Sequence, residues 1–213
     1  MGIRFDNQVA IVTGAGGGLG KEHALDLARR GARVVVNDLG GGVDGSGASD
    51  AAKAVVDQIM SEGGEAIANG ASVTDLDAVK AMVNEAMEKW GRIDILVNNA
   101  GILRDKSFHK DSIESFNTVM DVHFQGTLNC THTVYPIMRE QEFGRIIFTS
   151  SSSGVFGNFG QANYGSAKMA MIGLMNTLKL EGQKYNVYTN SITPVAYTRM
   201  TEGLIPEDFG KNM

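Results

Sequence analysis

The first forty residues contain the pattern that most restricts how this chain can fold. A short apolar run over residues 8–13 is followed at once by a glycine-rich segment, residues 14–20. Residues 21–30 then space their apolar side chains as a helix does, and residues 32–37 form a valine-rich run typical of a buried parallel strand. Asp38 follows that run. Strand, glycine turn, helix, strand and acid in this order predict a dinucleotide-binding βαβ unit.

Each part of this unit has a physical role in binding a dinucleotide. Glycines let the backbone approach a pyrophosphate, and the start of the helix offers free N–H groups and a favourable dipole. We expect Asp38 to accept hydrogen bonds from the adenosine ribose hydroxyls and to repel a 2′-phosphate. The sequence therefore predicts NAD, rather than NADP, as the cofactor. An ordinary flexible glycine loop is the less favoured alternative in this context.

Strands and helices alternate along the remainder of the chain. Apolar patterning predicts strands at 65–69, 93–97, 145–149 and 186–192, and helices at 50–62, 75–90, 115–139 and 163–184. Residues 40–49 are interpreted as a flexible linker. This alternation predicts an α/β fold, a Rossmann-type doubly wound parallel sheet. No repeat or composition shift divides the chain, so residues 1–213 are expected to form a single domain.

Composition argues against several other classes of protein. The net charge is −5 with no basic run, so nucleic acid is not an expected partner. The single cysteine, Cys130, argues against a disulfide framework or a cysteine zinc cluster, and no metal site is predicted. No apolar run has the length of a membrane span. Neither a signal-peptide pattern nor a peroxisomal address is recognisable, so the expected location is cytoplasmic.

A second pattern, formed by Ser151, Tyr164 and Lys168, carries chemistry. Ser151 follows the strand at 145–149, and Tyr164 and Lys168 lie four residues apart, on one face of a helix. An ammonium ~4 Å away at an effective dielectric of ~20 favours a tyrosinate by ~4 kcal/mol, which would lower the tyrosine pKa toward neutrality. The pattern predicts alcohol–ketone interconversion with Tyr164 as the acid–base group. Alone, Tyr-x-x-x-Lys is equally typical of an amphipathic surface helix.

Taken together, these motifs resemble the short-chain dehydrogenase/reductase family. Thr13-Gly14-x-x-x-Gly18-x-Gly20 is similar to its cofactor turn, and residues 98–101 are similar to its Asn-Asn-Ala-Gly motif. The resemblance implies that Ser151, Tyr164 and Lys168 are catalytic. It also implies a set of cofactor-binding residues, namely Gly14, Gly18, Leu19, Gly20, Asp38, Val73, Asn99, Ala100, Gly101, Tyr164, Lys168 and Thr198.

Within the family, residues 36–41, 98–105 and 157–164 are similar to the (3R)-hydroxyacyl-CoA dehydrogenase units of peroxisomal type 2 multifunctional enzymes. That resemblance implies NAD-linked oxidation of a 3-hydroxyacyl-CoA, a small-molecule substrate. It also implies a homodimer or homotetramer. Met169, Ile172 and Met175 are candidates for the subunit contact, although burial in the core of one subunit would equally explain them.

The chain departs from the family pattern at several positions. His123 stands where many members have a catalytic asparagine, and either a water relay from Lys168 or simple burial would explain it. Residues 70–73 lack the usual acid for the adenine, which leaves the backbone N–H of Val73 for that contact. Thr198 follows Pro194-Val195, and the resemblance implies that it offers a hydroxyl near the pyrophosphate. The chain is also short at its C-terminus, so the sheet is expected to lack the family's last strand.

Two other functions stay open from the sequence. The first is a different substrate, such as a 3-oxoacyl carrier protein, a steroid or a sugar alcohol; Asp38 weighs against an NADPH-linked carrier-protein reductase. The second is a catalytically weak subunit that binds the cofactor, against which the intact Ser151, Tyr164 and Lys168 argue.

Overall fold

A computed structural model describes residues 2–45 and 49–195. Its parallel strands form one six-stranded sheet with the order β3-β2-β1-β4-β5-β6. The strands are β1 (Val9–Thr13), β2 (Arg33–Asn37), β3 (Glu65–Asn69), β4 (Ile95–Asn98), β5 (Gly144–Thr149) and β6 (Val187–Ile192). The helices are α1 (Gly18–Arg29), α2 (Ala51–Ser61), α3 (Leu76–Trp90), α4 (Ile113–Met120), α5 (Gly126–Glu140), α6 (Ser152–Phe156) and α7 (Ala162–Gly182). The predicted Rossmann-type doubly wound sheet is confirmed.

The strand order reverses direction between β1 and β4, which are direct neighbours in the sheet. Val12 of β1 pairs with Val36 of β2 on one side and with Val97 of β4 on the other. Chain crossovers leave this point toward opposite faces, so a crevice opens at the carboxyl ends of the central strands. A ligand site is expected there, and the glycine turn after β1 leads directly into it.

Two apolar layers hold the helices against the sheet. Ala10 and Val12 of β1 face a layer that contains α1 and α2, whereas Ile11 faces a layer that contains α3, α5 and α7. This alternation follows the two-residue period of a strand, and because both faces are covered, all five residues of β1 are buried. The continuous apolar runs of the sequence therefore match the central strands.

The helix expected at 115–139 is one long helical segment with an irregular centre. α4 passes into a π-helical turn, Asp121–Gln125, and this turn passes into α5. Pro136 lies inside α5, which continues to Glu140, so the proline does not close the helix. The short helix α6 was not anticipated from the sequence.

Side chains that were candidates for other roles have ordinary surroundings. Cys130 is buried, and burial raises the pKa of its thiol to about 12. Met169 is 48% exposed, whereas Met175 is partly buried against the layer of α3, α5 and α7. Over residues 2–45 and 49–195 there is no cluster of His, Cys, Asp or Glu fit to hold a metal. No helix in that part of the chain has the length and apolar character to cross a membrane.

Candidate active site

The turn after β1 is locked to the segment after β4. The hydroxyl of Thr13 accepts hydrogen bonds from the backbone N–H groups of Asn99 (3.0 Å) and Ala100 (3.1 Å). The Asn99 side chain donates in return to the carbonyls of Thr13 and Gly14. Gly14 has φ +63°, and a Cβ on it would lie 2.8 Å from Cα of Ala100. The two predicted cofactor motifs therefore form one unit, in which Gly14 is required by both conformation and space.

The glycines that follow have different tasks. Gly18 and Leu19 begin α1 and line a cavity of about 460 Å³ at the carboxyl ends of the strands. The first turn of α1 has no side-chain cap and no acidic residue, so its N–H groups are available to an anion. Gly20 does not line the cavity; a Cβ there would overlap the carbonyl oxygen of Gly14. The structure thus gives Gly20 a packing role, and its contact with the cofactor stays a prediction.

Asp38 ties two turns together at the end of β2. One carboxylate oxygen accepts a hydrogen bond from the N–H of Gly16 (2.8 Å), and the other accepts from Gly40 (2.7 Å). Asp38 also lines the cavity, as expected for a residue that contacts the adenosine ribose. Its carboxylate therefore supports the shape of the cavity from the protein side.

The segment interpreted as a linker contributes to the site. Gly41, Gly42, Val43 and Gly45 line the cavity, and the carbonyl of Val43 accepts a hydrogen bond from the N–H of Leu103 at 2.9 Å. The linker interpretation is wrong for these residues, because tertiary contacts with the segment after β4 hold them beside the cavity. Their glycine density, and the place of Gly41 in the segment similar to the family, were the signals in the sequence.

The side of the cavity nearest β3 has a network of amides. Asn37 donates to the carbonyl of Ala71 (2.9 Å) and to the side chain of Asn69 (3.2 Å). Val73 lines the cavity, and its carbonyl accepts a hydrogen bond from Asn129 at 2.9 Å. The contact of the Val73 N–H with an adenine stays a prediction. Thr198, the remaining predicted cofactor residue, lies outside the described residues.

Ser151, Tyr164 and Lys168 meet at the other end of this cavity. Ser151 is the N-cap of α6, where its hydroxyl accepts a hydrogen bond from the N–H of Ser153 at 3.2 Å. Tyr164 lies in the first turn of α7, and Lys168 follows one turn later on the same face. The sequence spacing thus brings these three side chains together, and Ala100 and Gly101 line the same cavity.

Lys168 is buried, with only 3% of its surface exposed. Its ammonium donates to the carbonyl of Thr149 at 2.5 Å and lies 5.4 Å from the centroid of the Tyr164 ring. Burial disfavours the charged form and lowers the pKa of Lys168 to about 7. At neutral pH this lysine is therefore close to its own titration midpoint.

The sequence argument predicted that Lys168 lowers the pKa of Tyr164. For the protein groups alone, this prediction is wrong. Burial raises the pKa of Tyr164 above its usual value, and the nearby Asp105 carboxylate adds to the increase. The hydrogen bond with Ser151 works in the opposite direction and lowers this pKa. The sequence argument assumed a permanently charged, partly solvated lysine. Burial of both side chains removes that assumption.

Hydrogen bonds fix the start of α7 to the loop after β4. Asn163, which is 1% exposed, donates to the carbonyl of Arg104 (3.0 Å) and to the carboxylate of Asp111 (2.9 Å). Gln161 donates to Asp105 at 2.7 Å. Sequence reasoning assigned no role to these amides, although Gln161 and Asn163 lie in the segment that carried the family resemblance.

His123 is the buried, hydrogen-bonded histidine of the two alternatives considered from the sequence. It is 2% exposed, and its Nε2 lies 2.8 Å from the carbonyl oxygen and 3.1 Å from the backbone nitrogen of Ile102. Burial, together with the nearby Lys168, lowers the pKa of His123 well below its ordinary value. The imidazole is therefore neutral at physiological pH.

A parallel sheet in this order, with a glycine turn, an acid after β2 and a Ser–Tyr–Lys cluster around one cavity, defines a dinucleotide-binding oxidoreductase. The family model for short chain dehydrogenases matches residues 8–208, and the chain belongs to that family. The protein is therefore an oxidoreductase of a family that uses a nicotinamide cofactor.

Comparison with known proteins gives the same assignment. The chain is 49% identical over 203 residues to a putative short-chain type dehydrogenase/reductase, Rv0148, of Mycobacterium tuberculosis, covering 95% of this chain and 71% of that protein. It is 55% identical over 206 residues to peroxisomal multifunctional enzyme type 2 of Drosophila melanogaster, covering 96% of this chain. The chain spans only 34% of the length of that Drosophila relative.

A solved structure is similar across nearly the whole chain. It is a 7α-hydroxysteroid dehydrogenase complexed with NADH and 7-oxo glycochenodeoxycholic acid, with a TM-score of 0.88 and 31% sequence identity. The match covers 99% of this chain and 79% of that one. The resemblance to short-chain dehydrogenases inferred from the motifs is thus confirmed.

Proposed function

We propose that this protein is an NAD-dependent dehydrogenase that interconverts a (3R)-3-hydroxyacyl-CoA and the corresponding 3-oxoacyl-CoA. The observation that supports this proposal most strongly is that Ser151, Tyr164 and Lys168 share one cavity with Asp38 and the glycine turn. The similarity to the type 2 multifunctional enzyme of Drosophila supports the acyl thioester as the substrate class. Alcohol oxidation needs a proton acceptor beside a hydride acceptor, and the two ends of this cavity suit those tasks.

The described residues fit a nicotinamide dinucleotide. The uncapped first turn of α1 faces the same cavity as Gly14 and Gly18, which suits a pyrophosphate. The Asp38 carboxylate accepts two backbone N–H groups and has lone pairs left for ribose hydroxyls. Its negative charge would repel a 2′-phosphate, which supports NAD over NADP. When bound, the nicotinamide ring supplies the carbon that accepts a hydride from the substrate.

The protein's own groups move the proton. Tyr164 accepts the proton of the substrate hydroxyl at its phenolic oxygen during oxidation and returns it during reduction. Ser151 donates a hydrogen bond to the substrate oxygen and holds it within reach of Tyr164. Lys168 lies one helical turn away, and when Lys168 is protonated its ammonium stabilises the tyrosinate. Because burial raises the Tyr164 pKa, oxidation should accelerate as the pH increases from neutrality.

The test follows NADH formation with (3R)- and (3S)-3-hydroxybutyryl-CoA, and runs NADP in parallel. We expect turnover of the 3R isomer with NAD, and at least about tenfold lower kcat/KM with NADP or with the 3S isomer. Turnover with NADP alone would contradict the argument from Asp38. Equal turnover of both isomers would contradict the substrate assignment.

A second candidate is another secondary alcohol, and the similarity to a hydroxysteroid dehydrogenase structure favours including sterols. A hydroxysteroid and a sugar alcohol tested at the same NAD concentration separate these substrates from the acyl-CoA. If NAD raises the melting temperature but none of these alcohols reacts, the protein acts as a cofactor-binding subunit.

The assembly and location also belong to this proposal. Met169 and Leu180 of α7 are 48% and 70% exposed, and an apolar helix surface of this kind supports a homodimer or homotetramer. Light scattering coupled to size-exclusion chromatography measures the mass directly, and a monomer would contradict the assignment. The cytoplasmic location stays a prediction that imaging of the tagged protein tests.

A further inference from the structure

His123 occupies the irregular centre of the long helical segment. It lies in the π-helical turn Asp121–Gln125, where the N–H of Gly126 donates to the carbonyl of Asp121, five residues earlier. Such a turn shifts the side chains that it carries away from a regular helical face, and it is common at functional sites. Here it carries a histidine that lines the cavity and contacts Tyr164.

The imidazole is held closely by the segment after β4. A Cβ on Gly101 would overlap Cε1 of His123, so only a glycine leaves room for the ring. The adjacent Ile102 presents its N–H and its carbonyl to the same ring nitrogen, Nε2. Each neutral tautomer therefore has one partner at Ile102: one tautomer accepts from the N–H, and the other donates to the carbonyl.

The same ring contacts the tyrosine of the site. The centroids of His123 and Tyr164 are 5.1 Å apart and the ring planes are 89° apart, which is an edge-to-face arrangement. This geometry is the favourable one for aromatic pairs, and it restricts rotation of both rings. Tyr164 thus has a fixed aromatic neighbour, which is itself buried.

The imidazole has to be neutral for this arrangement to persist. A second cation beside Lys168 would be costly at a buried position, and both burial and Lys168 favour the neutral ring. The other ring nitrogen, Nδ1, is buried and has no hydrogen-bond partner among the described residues. An apolar side chain of similar size would avoid that unpaired nitrogen, so the histidine has a role beyond filling space.

We propose that His123 is a positioning residue, whose neutral ring, pinned to the Ile102 backbone, fixes the Tyr164 ring beside Ser151 and keeps water from the side of the Tyr164 ring that it contacts. This inference rests on the proposed role of Tyr164 as the acid–base group. The charged and titratable groups that face Tyr164 are Lys168 from α7, Asp105 from the loop after β4 and His123 itself.

Two variants separate the two contacts of the ring. His123→Gln keeps an amide that can bond to Ile102 but removes the ring beside Tyr164. His123→Phe keeps a ring beside Tyr164 but leaves the polar groups of Ile102 unpaired. His132→Gln is the matched control, because His132 is exposed on α5.

The measurements are kcat, KM and the pH dependence of alcohol oxidation, with the melting temperature and the Kd for NAD. For His123→Gln we expect kcat to fall about 10- to 100-fold while the Kd for NAD changes less than about twofold. Water admitted beside Tyr164 lowers its pKa, so the rise of activity with pH moves to lower pH. His123→Phe should keep that pH dependence and lower the melting temperature. His132→Gln should match the parent in all measurements.

A merely structural role predicts a different result. If both variants lower the melting temperature but the folded protein keeps the parent's kcat and pH dependence, the proposal is wrong. His123→Gln carries this decision, because His123→Phe is expected to keep the pH dependence under either role. If His123→Gln does not fold, His123→Asn, which also removes the ring, takes its place, because only a positioning role couples the ring to the pH dependence.

The outcome is also separable from the proposed substrate. If the parent protein does not turn over any hydroxyacyl-CoA, the proposed function is wrong. The inference about His123 is still testable in that case. Difference titration of tyrosinate absorbance against Tyr164→Phe then reports the Tyr164 pKa directly. His123→Gln must lower that pKa, and an unchanged value would overturn the inference.

Discussion

The two halves of the sheet contribute different kinds of chemical groups to the cavity. At the ends of β1 and β2, the site consists of backbone groups, glycines and the carboxylate of Asp38, which accepts two backbone N–H groups. Beyond β4 and β5, it includes three ionisable side chains, the partly buried Tyr164 and the buried Lys168 and His123, and desolvation displaces the pKa of each. The first half provides a shape for the cofactor, whereas the second provides groups whose proton affinity differs from that in water.

This difference has an energetic consequence. Backbone N–H groups and glycines hold their places at little electrostatic cost, since they carry no net charge to desolvate. Burying Lys168 opposes folding whenever it is protonated, because the unfolded chain binds that proton more tightly. In the proposed mechanism, the half that contains Tyr164 and Lys168 therefore has its reactive groups at a cost in stability. Substitutions that change stability and reactivity separately therefore test this comparison of the two halves of the sheet.

The largest expected effect is on turnover, from Tyr164→Phe. Loss of the phenolic oxygen removes the proton acceptor and should reduce kcat about 10²- to 10⁴-fold. The Kd for NAD, measured by fluorescence titration, should stay within about twofold, because the glycine turn and Asp38 are unchanged. Tyr188→Phe, at an exposed position on β6, is the control. Near-parental turnover in Tyr164→Phe would remove the distinction between the two halves.

The next effect is on the pH dependence of stability, from Lys168→Met. The folded pKa of about 7 lies below the unfolded value of 10.5, so protonated Lys168 destabilises the parent at low pH. This cost is complete below pH ~7 and disappears as the pH rises toward ~10.5, and its full size is about 5 kcal/mol. The variant loses the hydrogen bond to Thr149, which offsets part of this gain. It should therefore be about 3 kcal/mol more stable than the parent at pH 6.

Urea unfolding of Lys168→Met at pH 6 and at pH 10 measures this difference. The advantage of the variant should disappear or reverse at the higher pH. Lys179→Met, at an exposed position of α7, should show no such pH dependence. A stability difference that does not depend on pH would mean that the buried ammonium is solvated in a way that the structure does not show.

A third effect tests the packing of the cofactor half, with Gly20→Ala. The added Cβ overlaps the carbonyl of Gly14, so α1 must shift relative to β1. We expect a loss of about 1–3 kcal/mol and a lower melting temperature, together with weaker NAD binding. Gly70→Ala is the control, since a Cβ on Gly70 meets no atom within 4 Å. If Gly20→Ala behaved like Gly70→Ala, the cofactor half would not depend on close packing.

The smallest effect is on cofactor selectivity, from Asp38→Asn. Removing the charge weakens the hydrogen bonds to the ribose and relieves the repulsion of a 2′-phosphate. The ratio of kcat/KM for NAD to that for NADP should fall about tenfold, with kcat for NAD nearly unchanged. Asp57→Asn, which removes an exposed charge on α2, should leave the ratio unaltered. A loss of kcat without a change in the ratio would place Asp38 in a structural role alone.

Prediction from the sequence succeeded where residues are neighbours in the chain. The βαβ unit, the acid after β2 and the Tyr164–Lys168 spacing were all predicted, because each depends on local geometry. The residues from Gly41 to Gly45 were assigned incorrectly, and the packing role of Gly20 was not predicted. Their contacts join segments distant in sequence, such as Val43 with Leu103, which a pattern of neighbouring residues does not contain.

By itself, the sequence determined the order of strands and helices, the glycine turn and which side chains are the candidate reactive groups, because periodicity and spacing act along the chain. Only the tertiary structure decided the protonation behaviour of those groups. The pKa values of Tyr164 and Lys168 depend on how completely the surrounding helices exclude water, which is a property of packing. The tertiary structure also brought His123 against Tyr164, across an interval of the chain that no local pattern links.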